Sequence, residues 1–190
     1  MKRPKSPIER LPGEVAKYES ILAAYWKTDV RHDPGFQRLF NGFYQLRLPR
    51  KACYEHFYRI LEGLKEQERT FGQILQELSE STGRVEKSFA SKALATRHPE
   101  QPIIDTWVLT FLKQRAGLIP QRQSASNRIA RWANFYDKMV EWYRAFGLSS
   151  EGLACIRQFD VICPGRSVCD LKKLDFVIYI TQGDVSLLKV

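Results

Sequence analysis

Residues 83–118 read GRVEKSFASKALATRHPEQPIIDTWVLTFLKQRAGL, and this stretch carries the clearest helix and loop signals in the chain. Pro99 and Pro102 interrupt it, because proline lacks the backbone N–H and disfavours α geometry in the residue before it. Apolar residues at helical spacing predict one helix from about Val85 to Thr96 and another from about Asp105 to Arg115. The stretch therefore predicts two helices joined by a tight polar loop.

Four polar residues cluster on the first of these helices, and one acid begins the second. The cluster consists of Lys87, Ser88, Ser91 and Lys92, and the acid is Asp105, an acceptable N-cap for its helix. Lys87 and Lys92 are five positions apart, which turns them about 140° away from each other around the helix. Only one of the two lysines can therefore face a cleft together with Asp105, and Ser88 shares the face of Lys92.

The stretch resembles the catalytic segment of the helix-hairpin-helix DNA glycosylases, the superfamily of endonuclease III and adenine glycosylase. In that family a glycine-containing hairpin precedes a helix with a lysine, and an apolar loop then delivers an aspartate. Here Gly83 lies in the hairpin, Lys87 stands 18 positions before Asp105, and residues 102–108 match the loop element. The family hairpin has Gly-x-Gly, whereas this chain has the single Gly83. The stretch also resembles a group of small bacterial helical proteins that share SFASK…PxxPIxD, and that membership would assign no function.

The glycosylase resemblance implies a fold, an activity and a set of site residues. The fold is all-α, a multi-helix globular domain with a DNA-glycosylase-like two-lobed helical architecture. The activity is that of a base-excision DNA N-glycosylase, with AP-lyase activity in the members that carry the lysine. The aspartate stabilises positive charge on the sugar, and the lysine attacks the anomeric carbon. The catalytic candidates are Asp105, Lys87 and Lys92, and the nucleic-acid-binding candidates are Gly83, Arg84, Ser88, Arg97, His98, Arg122 and Arg128.

Composition and charge limit the possible function classes. A chain of 190 residues, 44% of them hydrophobic, is expected to form one globular domain. The net charge of +9 favours an anionic partner, DNA first, with a protein partner as the alternative. No apolar run approaches the roughly 18 residues of a membrane span, so no membrane partner is expected.

The cysteines and histidines do not form the spacing of a metal site. Cys53, Cys155, Cys163 and Cys169 contain no CxxC pair, and the three histidines lie in separate segments. The glycine-rich loops that cradle nucleotide phosphates are also missing from the sequence. We therefore expect no metal, no cofactor and reduced thiols in a cytoplasmic protein.

The remaining segments predict further helices around this stretch. We expect a flexible basic arm at 1–13, a single helical domain at 14–181 and a tail at 182–190. Residues 176–180, FVIYI, also fit a β-strand, but the chain offers no alternating partner strand, so a helix is preferred. Eight or nine short helices, covering more than half of the chain, follow.

Two other interpretations of the polar cluster remain open. Ser88 and Lys92, at i and i+4, could form a Ser-Lys hydrolase dyad, although no glycine-rich loop would supply its oxyanion hole. Alternatively Asp105 is only a helix cap, Lys87 is solvated, and Ser88 and Ser91 let two helices pack closely. The single hairpin glycine favours this last interpretation, a non-catalytic interaction protein on the same scaffold.

Overall fold

A computed structural model of the chain describes residues 6–121 and 128–185. Within those ranges every regular element is a helix and no strand occurs, which confirms the all-α prediction and the helical choice for residues 176–180. No helix in those ranges is both long enough and apolar enough to cross a membrane. The nine helices found there are α1 (Pro7–Lys27), α2 (Pro34–Tyr44), α3 (Lys51–Gly63), α4 (Phe71–Thr82), α5 (Lys87–Arg97), α6 (Thr106–Ala116), α7 (Arg128–Leu148), α8 (Ser150–Ile162) and α9 (Asp170–Ile180).

Local turn chemistry accounts for several of the helix ends. α4 ends at Gly83 and α6 at Gly117, with φ values of 72° and 61°. Glycine adopts this left-handed conformation without the steric cost of a Cβ, so α6 ends where the sequence predicts and α4 ends at the hairpin glycine. The Asp105 side chain caps the start of α6 by accepting a hydrogen bond from the Val108 N–H, 2.8 Å away.

α1 begins at Pro7, so residues 7–13, predicted as part of a flexible arm, are helical. Ser6 and Glu9 form a reciprocal capping box, and Pro7 occupies the first helical position, where its missing N–H costs nothing. Pro12 lies inside the helix between Leu11 and the next buried position, Val15, both fully buried. Burial of that apolar face offsets the helix-breaking tendency of Pro12. Residues 1–5 of the predicted arm lie outside the described ranges.

α9 lies at the centre of the molecule, where it packs against α1, α6, α7 and α8. Its residues from Phe176 to Ile178 are all buried, which explains why this segment lacks the one-sided apolar stripe of a surface helix. The next residues, predicted as the start of a tail, turn back onto the fold. Gly183 donates a hydrogen bond to the Ile178 carbonyl, 2.8 Å away, and Val185 is buried. Residues 186–190 lie outside the described ranges.

Candidate functional site

A cavity of about 540 Å³ lies between α5, the start of α6 and the central helix α9, with α1 and the end of α2 closing it. Its polar side chains include Lys87, Ser88, Lys92 and Asp105, so the fold brings together all three catalytic candidates. Aromatic rings form much of the remaining wall: Tyr18, Phe43, Tyr44, Phe89, Trp107, Phe176 and Tyr179.

The loop that delivers Asp105 is held on one side by α5 and α7. The Ile104 N–H donates to Ser91 Oγ at 2.9 Å, and Ser91 Oγ donates to the Ser88 carbonyl at 3.0 Å. Tyr136 on α7 donates its hydroxyl hydrogen to the Pro102 carbonyl at 2.8 Å. Ser91 therefore positions the loop through a hydrogen bond and does not line the cavity.

The same loop is held on its other side by a buried ion pair on α9. Lys172 Nζ lies 2.8 Å from Asp175 Oδ2 and 3.2 Å from the Gln101 carbonyl. Asp175 Oδ2 also accepts a hydrogen bond from the Ile103 N–H at 3.1 Å. Our sequence interpretation missed both residues, although opposite charges at i and i+3 inside an apolar segment are a usable signal of a buried pair.

Asp105 caps α6 and also lines the cavity. Burial raises the pKa of its carboxyl from 3.8 to about 6, against the lowering effects of the Val108 N–H and of Lys92. A desolvated carboxylate costs free energy, so protonation becomes easier at this position. The Asp105 carboxyl can consequently both take up and release a proton near neutral pH.

Lys92 is the lysine that the fold places in the buried part of this site. Its Nζ donates to the Tyr44 carbonyl at the end of α2, 3.0 Å away. It lies 5.7 Å from the Tyr44 ring centroid and 5.4 Å from that of Phe89. Burial lowers the pKa of Lys92 from 10.5 to about 8, an effect that the nearby Asp105 partly opposes. A substantial fraction of Lys92 is therefore the neutral, nucleophilic amine near physiological pH.

Lys87 also lines the cavity but points toward a different helix. Its Nζ lies 4.7 Å from the ring centroid of Trp132 on α7. The spacing in the sequence favours Lys87 as the partner of Asp105, whereas the tertiary geometry favours Lys92. Lys87 and Lys92 extend toward different helices, as their separation around α5 predicts. Both nevertheless line the cavity together with Asp105, so the prediction that only one lysine can do so is wrong. The cavity also contacts Ser88 and Phe89, so it spans more than one face of α5.

Two of the predicted nucleic-acid-binding residues, Arg97 and His98, are engaged in contacts within the protein. Arg97 donates from Nε to the Leu64 carbonyl at 2.8 Å and pairs with Glu68 at 3.0 Å. His98 Nε2 lies 2.7 Å from the same Glu68 carboxylate. Both side chains are thus occupied by contacts with the segment between α3 and α4.

The hairpin between α4 and α5 uses its own backbone donors. The Gly83 N–H donates to the Ser79 carbonyl at 2.8 Å, and the Arg84 N–H donates to Thr82 Oγ1 at 3.2 Å. The Arg84 and Arg128 side chains are exposed, and Arg122 lies outside the described ranges. The Gly83 and Arg84 N–H groups of the hairpin therefore have hydrogen-bond acceptors within the protein.

No protein-family model matches the chain, and no curated protein or solved structure shows significant similarity to it. The cavity that contains Lys92 and Asp105 is the feature of the molecule from which a function can be inferred.

Proposed function

We propose that the chain is a nucleic-acid-binding helical protein that accepts one extruded nucleotide in the cavity and acts there as a base-excision glycosylase with lyase activity. The observation that carries this proposal is the presence of two groups with opposite pKa shifts, Lys92 and Asp105, in one aromatic-walled cavity. A volume of about 540 Å³ lies within the range of small-molecule sites. The resemblance of residues 83–118 to the glycosylase segment supports the same reaction class.

The chemistry begins with loss of the Lys92 ammonium proton to solvent and uptake of a proton from solvent by the Asp105 carboxylate, each favoured by the shift of its own pKa. The neutral amine attacks C1′ of the sugar, and an N–C1′ bond forms as the C1′–N glycosidic bond breaks. The base leaves with that electron pair and takes the proton from Asp105. The attached nitrogen then loses a proton, the C1′–O4′ bond breaks with protonation of O4′, and a protonated imine joins Lys92 to the opened sugar.

Reductive trapping tests this chemistry. An oligonucleotide with an abasic site offers the C1′ aldehyde directly, so the amine condenses with loss of water and borohydride delivers a hydride to the imine carbon. We expect a covalent adduct with the wild-type protein and none with Lys92→Ala or Lys92→Arg. Lys87→Ala is the matched control and should retain the adduct. Trapping that survives in Lys92→Ala, or no trapping with the wild type, would overturn the proposal.

A second candidate function, that of a non-catalytic interaction protein, is favoured by the hydrogen bonds of the same two residues. Lys92 donates to the last carbonyl of α2, and Asp105 caps α6, as residues at helix ends commonly do. If this is their whole role, Asp105→Asn has no effect on binding of any partner, because asparagine caps a helix about as well as aspartate. Asp105→Ala then costs about 1 kcal/mol of stability, which chemical denaturation measures.

A further inference from the structure

A second concavity adjoins the cavity on the side of α1 and α2. We call this concavity the lateral groove. Its volume is about 610 Å³, and its walls include Arg10, Lys17, Arg38, Gly42 and Gln182. Five residues line both spaces: Glu14, Phe43, Gln45, Trp107 and Tyr179. The cavity and the lateral groove therefore lie side by side.

The lateral groove carries an excess of positive charge. Arg10 and Arg38 are exposed, and neither forms an ion pair with any residue in the described part of the chain. Lys17 pairs with Glu14 at 2.8 Å, which leaves the two arginine charges uncompensated. Guanidinium groups present several donors in a planar fork that matches phosphate oxygens, so the groove suits an anionic chain.

Two large aromatic side chains stand exposed where the cavity and the lateral groove meet. Trp107, in the first turn of α6, is 37% exposed, and Tyr179, in the last turn of α9, is 42% exposed. Large aromatic rings are usually buried, so two exposed rings beside unpaired arginines indicate a surface that a partner covers. Aromatic rings next to cations are the combination on which unpaired nucleic-acid bases stack.

The hairpin between α4 and α5 does not offer the Gly83 and Arg84 N–H groups to a phosphate. The Gly83 and Arg84 N–H groups already donate within the protein, so the hairpin lacks these two donors for a phosphate. A nucleotide in the cavity still carries a phosphate on each side. Arg10 and Arg38 are uncompensated cations that line the space next to the cavity, so they are placed to contact such a phosphate.

We infer that the lateral groove binds a short single-stranded nucleic-acid segment that flanks the nucleotide in the cavity. Arg10 and Arg38 contact its phosphates, and Trp107 and Tyr179 stack against its bases. A single strand is required because the stacking of base pairs in a duplex hides the base faces from such rings. The inference rests on the proposed function, whose substrate it narrows to unpaired strands.

Fluorescence anisotropy with a labelled ten-nucleotide thymidine strand, alone and annealed to its complement, tests the inference. We expect the single strand to bind more tightly than the duplex. Trp107→Leu or Tyr179→Leu keeps apolar volume but removes the stacking ring, and each should weaken single-strand binding roughly five-fold to a hundred-fold. Thermal unfolding checks that each variant is folded.

The arginines are tested through the salt dependence of the same binding. Arg10→Ala/Arg38→Ala removes two phosphate contacts, which should reduce the slope of log affinity against log salt by about 1.4. Arg144→Ala/Arg157→Ala is the matched control, because both arginines are exposed on α7 and α8 and neither lines the cavity or the groove. The control should leave most of the affinity intact. An equal loss in the two double variants, or tighter binding of the duplex, would contradict the inference.

The outcomes also separate this inference from the proposed chemistry. If the groove variants bind the single strand like the wild type while the wild type is still trapped on the abasic oligonucleotide, the groove inference is wrong and the chemistry stands. If binding depends on the groove but the wild type forms no adduct, the groove stands and the chemistry is wrong.

Discussion

Two opposing influences act on the pKa of the Asp105 carboxyl. It accepts a hydrogen bond from the Val108 N–H, which favours the ionised form, and it is half-buried, and this loss of hydration disfavours that form more strongly. Loss of hydration has the larger effect, so the pKa of Asp105 rises to about 6. The cap at Asp105 is visible in the sequence, but the burial that changes its chemistry is not.

The raised pKa of Asp105 should make the free energy of unfolding depend on pH. Because the folded-state pKa of Asp105 is raised, its contribution to stability is complete below pH 3.8 and is lost as the pH rises through about 6. Asp105→Asn has no such loss, so its stability relative to the wild type should rise by up to about 3 kcal/mol between pH 4 and pH 7. Urea unfolding at several pH values measures this difference.

A second N-cap aspartate provides the control for that experiment. Hydrogen bonds from the Phe36 and Gly35 N–H groups hold the pKa of Asp33 below its usual value. Asp33 therefore stabilises the fold above its ordinary pKa, and Asp33→Asn should lose stability relative to the wild type as the pH rises. A difference between Asp105→Asn and the wild type that stays constant with pH would show that Asp105 is well hydrated.

The pH dependence of the trapping rate should follow the titration of the Lys92 amine. Only the neutral amine attacks, so the rate should rise about tenfold per pH unit below pH 7 and level off above about pH 8. A solvated lysine would continue to gain rate toward its ordinary pKa of 10.5. Initial rates with cyanoborohydride, which survives mildly acidic conditions, distinguish the two profiles. A rate that keeps rising above pH 9 would assign the adduct to a surface lysine.

At the corner between α7 and α8, the two backbones leave no space for a side chain at Gly152. A Cβ on Gly152 would overlap the Phe146 carbonyl oxygen and lie 2.8 Å from the carbon of the same group. Both atoms belong to the backbone, so they cannot rotate away as a side chain would. The close approach of α8 to the end of α7 therefore depends on glycine at this position.

Gly152→Ala should lower the free energy of unfolding by at least about 3 kcal/mol, the upper end of the cost of overpacking. Gly13→Ala is the matched control, because nothing outside the backbone of α1 lies within 4 Å of the position that a Cβ on Gly13 would take. That change should stabilise the protein by up to about 1 kcal/mol, since alanine favours the helix over glycine. Urea denaturation followed by circular dichroism compares the two. A Gly152→Ala variant as stable as the wild type would mean that α8 can shift.

At the scale of the whole molecule, the central helix α9 determines where the Asp105 loop lies. Its Lys172–Asp175 pair bonds to Gln101 and Ile103, about seventy positions earlier in the chain. Both side chains are buried, with exposed fractions of 3% for Lys172 and 7% for Asp175. A buried charge that loses its partner is costly, so this pair couples the shape of the site to overall stability.

Lys172→Met leaves the Asp175 carboxylate buried without its ammonium partner and should cost roughly 3 to 5 kcal/mol. Its neighbour Lys173 offers the control, since it pairs with Asp160 and Asp170, whose side chains are 52% and 69% exposed. Lys173→Met should cost less than about 1 kcal/mol, because water solvates both acids in its absence. Thermal and chemical unfolding measure both changes. Equal costs for the two variants would contradict a structural role for the buried pair.

The helices themselves follow from local rules. Apolar spacing, proline positions and the two left-handed glycines predict most of the helix ends to within a few residues. The exception is α1, where the Ser6–Glu9 capping box starts the helix before Pro12. A proline signals a break from local chemistry alone, and only the burial of Leu11 and Val15 shows that the helix continues through it.

Local sequence patterns are enough to predict the all-α fold, the helix–loop–helix with its Asp105 cap, and the different directions of Lys87 and Lys92 around α5. These properties depend on residues a few positions apart, whose geometry the backbone sets. Long-range packing brings Lys92 to the Tyr44 carbonyl, Arg97 and His98 to Glu68, and the Lys172–Asp175 pair to the Asp105 loop. Each of those outcomes depends on burial and on partners about thirty to seventy positions away, and no local pattern records which distant segments meet.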